Sequence, residues 1–287
     1  MTTLTAPAPT LSQIEAAASA GNRVTVREWA RHSGAMIRRN LLGIKADPEE
    51  LLGVTVFPII MTVLFTYVFG GAMKGSLQGT SYLQFLVPGI FAQMLTFGTM
   101  NVGVKLSTDF SKGVIDRFRS LPIARSAVLN GHLVASMLNL LLASGITMAA
   151  ASVLGFRVQT SPLGFLGGLA VLLALGFGIS WVAVYIGSVA STPTAVNGIM
   201  QLALFPLMFA SSIFAPVNSM PGWLQAFVKV NPLTTAADSA RALMSGDAAA
   251  QLTSSGLDHA VLITLAWAAG LSLVFAPLSI RAFKRRT

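Results

Sequence analysis

Cysteine is absent from the 287 residues, and Asp, Glu, Lys and Arg together supply only 10% of them, against roughly 25% in an average soluble protein. Without cysteine there is no thiolate nucleophile, no disulfide framework and no cysteine metal site. With so little charge, a water-soluble fold of this length could not keep its surface wetted. The 54% of hydrophobic side chains and the mean hydropathy of +0.71 call for lipid as the solvent of much of the chain. Acids are the scarcer sign, ten Asp and Glu against 19 Lys and Arg. All ten fall in the N-terminal segment, in loops or at the edges of apolar stretches, so no span is expected to bury one. That argues against a proton relay, a carboxylate-coupled transporter and an aspartyl intramembrane protease, each of which needs an ionisable group at depth. The three histidines (His32, His132, His259) lack metal-ligand spacing. There is no G-x-S-x-G, and the segment from Gly98 to Lys105 is misspaced for a phosphate-binding G-x-x-x-x-G-K-[ST] loop. The chain has no visible means of covalent chemistry or of binding ATP, and uphill movement would draw on another subunit.

What is present is a set of long charge-free runs. Between Arg157 and Lys229 lie 71 residues without a charge, enough for two crossings of about 20 residues each. With this run divided at Ser191-Thr192-Pro193-Thr194, six spans are predicted, at about 51–73, 82–105, 127–155, 163–189, 195–214 and 259–281. An even number places both termini on one side. The N-terminal segment, the connection between spans two and three and the C-tail hold 15 Lys and Arg, and the opposite loops hold four (Lys74, Arg157, Lys229, Arg241). Basic residues stay cytoplasmic, so both termini are expected in the cytoplasm of a plasma (inner) membrane protein. The net charge of +9 then reads as topology, with no nucleic-acid partner.

Residues 1–22 read as a mobile cytoplasmic tail with no export signal. In 23–46, Val26, Trp29, Ala30, Met36, Ile37, Leu41 and Ile44 share one helical arc beside a basic stripe of Arg27, Arg31, Arg38 and Lys45. Such a helix lies in the membrane surface with its cations on lipid phosphates; a soluble helix packed on a partner is the alternative. The transmembrane domain is expected over 47–284 and a basic tail over 285–287. Between spans two and three, Val114, Ile115, Phe118 and Leu121 recur at helical spacing opposite Asp116, Arg117 and Arg119, and Pro122 ends the run. Between spans five and six, a short helix carrying Trp223, Leu224, Phe227 and Val228 is followed by a turn at Asn231-Pro232. A second helix follows, with Asp238 and Arg241 three apart, and ends at Gly246. These external helices, about 216–246, are expected to dip into the outer leaflet or cap the bundle. Inside the spans the polar residues are uncharged. Gln93, Thr96, Asn197 and Gln201 are candidates for a substrate path, and Asn197, Gln201, Phe205 and Met208 share a face; interhelical hydrogen bonding is the plainer role. Gly164 and Gly168 form a G-x-x-x-G of little weight.

The order of these elements, with Pro221-Gly222-Trp223, Phe227 and Asn231-Pro232 in the external connection and Asp109, Gly113, Asp116-Arg117 and Leu121-Pro122 in the cytoplasmic one, resembles the membrane subunit of type-2 ABC exporters, specifically the daunorubicin-resistance-like permeases of actinobacteria. The resemblance implies an all-α membrane protein: six transmembrane helices, an N-terminal elbow helix over 23–46, a coupling helix over about 109–122 that meets the ATPase, and short external helices. It also implies that two permeases pair as a homodimer or heterodimer, and that separate ABC ATP-binding subunits carry ATP and Mg while this chain carries no cofactor. Their closure would push a hydrophobic or amphipathic compound (drug, polyketide or lipid) outward, so the chain itself would be no enzyme. Two other classes fit the composition. An energy-independent channel or facilitator would have no ATPase partner, and a lipid-processing membrane enzyme or assembly factor would need a polar cluster at one depth, which is not evident.

Overall fold

The computed structural model describes residues 34, 37–38, 48–77, 79–115, 125–250, 252–254 and 256–286. Among them every regular element is a helix: α1 Pro48–Met73, α2 Tyr82–Gly98, α3 Met100–Ser111, α4 Arg125–Val153, α5 Pro162–Val189, α6 Pro193–Phe209, α7 Gly222–Val230, α8 Pro232–Ala250 and α9 Leu257–Arg286, with single 3-10 turns at Lys74–Ser76 and Val217–Ser219. The starts follow from local chemistry. Ser161 and Thr192 each accept a hydrogen bond from the backbone three residues on, and Pro162 and Pro193 occupy the first turn, where a missing N–H costs nothing. Ser81 caps α2 in the same way.

Five stretches are long and apolar enough to cross a membrane: Leu52–Met73, Tyr82–Ser111, Leu129–Val153, Pro162–Val189 and Leu257–Arg286. The second, expected over 82–105, runs on through Thr99 as α2 and α3 and reaches Ser111. The fifth predicted span, 195–214, departs further. α6 has 17 residues, about 26 Å at 1.5 Å per residue, which falls short of a hydrocarbon core of about 30 Å. The chain beyond it, 210–216, is bent rather than helical.

The span formed by α2 and α3 is the central one, 89% buried over its most apolar part, while α1 and α9 are peripheral at 17% and 11%. α9 and α3 pack along α5, and α8 inserts among α2, α5 and α9. The α3–α5 crossing depends on paired glycines. A Cβ on Gly103 would strike the carbonyl oxygen of Ala183, and one on Gly187 would sit 2.5 Å from the Gly103 oxygen. Gly164 and Gly168 also gain a role, since they abut Leu243 and Met244 of α8. Two ends of the bundle result, one carrying α7 and α8, the other the ends of α3, α5 and α9 and the start of α4.

Candidate functional site

The most heavily bonded site lies at the α7/α8 end and is built around Arg241, fully buried on α8. All five N–H groups of its guanidinium are engaged. Nε donates to Phe85 O (2.9 Å), Nη1 to Asp238 Oδ1 (2.8 Å) and Ser212 Oγ (3.0 Å), and Nη2 to Ser212 O (2.7 Å) and Ile213 O (3.1 Å). The ring of Phe85 lies 3.7 Å from the guanidinium carbon. Asp238 is equally buried, and its oxygens also accept from Ser212 Oγ (3.0 Å), Ser254 N (2.9 Å) and Ser254 Oγ (2.6 Å).

The sequence of α2 explains this socket. Pro88 has no N–H to give to Gln84 O, and that carbonyl accepts Ser245 Oγ instead (3.1 Å). Gly89 makes the room, because a Cβ there would lie 2.6 Å from Ile213 O and 3.0 Å from Arg241 Nη2. Asp238 and Arg241, expected three apart on the second external helix, both lie on α8 and are both fully buried. The second external helix, expected to dip into the outer leaflet or to cap the bundle, packs as α8 among α2, α5 and α9. Asp238-x-x-Arg241 looks alike in sequence on an exposed helix and on a buried one. A Pro-Gly pair inside a span was the available signal.

The external motif divides. Asn231 is 2% exposed; its Nδ2 donates to Leu207 O (2.7 Å) and Ala210 O (2.6 Å), ending α6, and its Oδ1 accepts from Leu233 N (2.9 Å), starting α8. Pro232 opens α8, and Pro221 precedes α7, which begins at Gly222. Trp223 and Phe227 remain exposed, at 78% and 48%.

The path candidates separate too. Gln93 and Thr96 are buried in α2, and the Thr96 hydroxyl donates to Ala92 O (2.8 Å). Gln93 Nε2 contacts Met208 Sδ at 2.9 Å, and its Oε1 has no protein partner. Gln93 borders a cleft of about 320 Å³ with Val54, Phe57, Pro58, Met94, Phe97 and Asn101. Pro58 has no N–H to give to Val54 O, and the lining combines aromatic rings with the unpartnered Gln93 Oε1. Asn197 and Gln201 instead lie on the outer face of α6 with Phe205 and Phe209, and Met208 departs from that face. α6 buries every fourth residue, Val196, Met200, Leu204 and Met208, a line that drifts round the helix as it crosses its neighbours.

At the opposite end, Asp109 belongs to the last turn of α3, and its Oδ2 lies 3.2 Å from His132 Nε2 on α4. Gly113, at φ 65°, closes α3 in the left-handed conformation with its N–H on Phe110 O (3.1 Å), so the expected helix over 109–122 is interrupted there. Asp116, Arg117, Leu121 and Pro122 lie outside the described residues, as do Arg27, Trp29, Arg31 and Lys45 of the elbow; Arg38 is helical and exposed.

The sequence pattern of the family described as "ABC-2 type transporter" matches residues 32–245. A daunorubicin resistance ABC transporter permease of Streptomyces coeruleorubidus is 37% identical over 284 residues, 99% of this chain and 97% of that protein. A doxorubicin resistance ABC transporter permease of Mycobacterium tuberculosis is 26% identical over 246 residues, 83% of each chain. Together with an all-helical fold that holds five apolar helices of membrane-crossing length, these likenesses establish that the chain belongs to the ABC-2 type transporter family of multi-pass membrane permeases.

Proposed function

We propose that the chain is the membrane subunit of an ATP-driven exporter that moves a hydrophobic or amphipathic drug-like compound, with anthracyclines the first class to assay. The observation that carries this reading is likeness over 99% of the chain to a permease named for daunorubicin resistance. The cleft at Gln93 supports it, because Phe57, Phe97 and Met94 offer faces to a flat apolar body while the free Gln93 Oε1 offers an acceptor to a polar substituent. α6 serves as a shorter, sixth crossing in this reading, and both termini lie on the cytoplasmic side by the balance of basic residues.

Energy comes from a separate ATP-binding subunit with its ATP and Mg, docked against the elbow helix and the connection between α3 and α4; this chain holds no cofactor and catalyses no reaction. A second permease, identical or homologous, completes the transporter. The exposed apolar residues of α1 and α6, among them Tyr67, Val68, Leu202 and Phe209, supply surface for that pairing. Replacing Asp116 and Arg117 together by Ala tests the coupling. Drug-stimulated, vanadate-sensitive ATPase activity and export by the reconstituted complex should both collapse. Unchanged export would remove the coupling role from this segment.

A further inference from the structure

At the α3 end a cleft of about 760 Å³ opens between the last turns of α5 and α9, bordered by Tyr185, Ser188, Ser191, Leu278, Arg281 and Arg285. We infer that this cleft is a binding site for the phosphate headgroup of an anionic phospholipid, with the lipid's hydrocarbon laid along α9 above it. Three observations lead there.

The first is the register of α9. Val274, Leu278, Arg281 and Arg285 fall at intervals of four, three and four residues, one narrow face of a helix, and all four are exposed. That face is apolar where the helix is in the hydrocarbon and basic where it leaves it, which matches an acyl chain ending in an anion and does not match a soluble anion. The second concerns partners. Neither Arg281 nor Arg285 is in an ion pair with a described carboxylate, as Arg241 is with Asp238, so both face the cleft without one to neutralise them.

The third is the removal of an obstacle. The C-terminus of a helix repels anions, and α5 ends in the wall of this cleft. Arg286 covers that end, donating from Nη1 to Gly187 O and Ser188 O (3.2 Å each) and to Ala190 O (2.7 Å), with its guanidinium carbon 4.5 Å from the Phe110 ring. With those carbonyls neutralised, two further guanidinium groups and the Ser191 hydroxyl are left to bind oxygen atoms of a phosphodiester. This site is apart from the cleft at Gln93, and binding there needs no ATP-binding subunit.

Native mass spectrometry of the detergent-purified full chain tests it, with phosphatidylglycerol and phosphatidylcholine offered in equal amounts. The wild-type chain should retain phosphatidylglycerol over phosphatidylcholine by about tenfold or more, as expected for two interfacial cations. R281Q/R285Q should bring the two lipids close to parity. K284Q, one residue away on another face, should keep the preference and so serves as the control for loss of one positive charge. Both substituted arginines are exposed, and Arg286 is left in place to hold α5, so the variant should stay folded; its helical circular dichroism should match the wild type. An undiminished preference in R281Q/R285Q, an equal loss in K284Q, or displacement of the lipid by millimolar inorganic phosphate would each overturn the proposal.

Discussion

Arg241 at one end of the bundle and Arg281 with Arg285 at the other are the same side chain in opposite surroundings. Arg241 engages all five N–H groups within the protein and is paired with an equally buried acid. Arg281 and Arg285 stand exposed at a cleft and contact no described carboxylate. The first kind of charge is an internal joint, tying α8 to α2 and to the bend after α6. The second makes no ion pair among the described residues and, as proposed above, is left for a lipid outside the chain. A membrane permease has use for both: a part that moves as one piece and a part that meets lipid and partners.

The contrast is broken most directly by Arg241→Met. It leaves Asp238 buried without its cation and should cost about 3–5 kcal/mol of stability, seen as a large fall in the thermal unfolding midpoint in detergent. Replacing Asp238 by Leu at the same time should cost less than Arg241→Met alone, because no lone charge then stays buried. Asn231→Ala comes next. It removes the donor that closes α6 and the acceptor that opens α8, at about 2 kcal/mol, and amide exchange should quicken at the start of α8. Gly103→Val, which forces α3 away from Ala183, should cost about 1–3 kcal/mol and lower the yield of monodisperse protein on size-exclusion chromatography. Smallest of all, Arg281→Gln with Arg285→Gln should shift the unfolding midpoint by the equivalent of about 0.5 kcal/mol or less. A large shift from that last pair would erase the distinction between the two ends.

Much of the helical layout was legible, because a span announces itself by what it excludes. The runs without charge locate α1, α2, α4, α5 and α9, and the Ser-Pro and Thr-Pro pairs fix where α5 and α6 start. The end of α6 was not legible. It is set by Asn231, which accepts the chain's turn and bonds carbonyls 21 and 24 residues away, and composition carries no record of a contact that distant. The Arg241 socket was hidden for a related reason. Its charge partner is local, but its burial comes from Pro88 and Gly89 on a helix some 150 residues earlier, as the Arg241 to Phe85 bond across 156 positions shows. Of the path candidates, Gln93 and Gln201 looked equivalent as uncharged polar residues in apolar helices. Only packing separates the one beside a cleft from the one on an outer face.

In the proposed function the chain conducts its cargo only when an outside ATPase drives it. Uptake of daunorubicin into inside-out membrane vesicles tests this, comparing vesicles that carry the chain with and without its ATP-binding partner, each with and without ATP. Concentrative uptake is expected only when the chain, the partner and hydrolysable ATP are all present. Equal uptake by the chain alone, with or without ATP and without accumulation above the outside concentration, would contradict it and make the chain a facilitator.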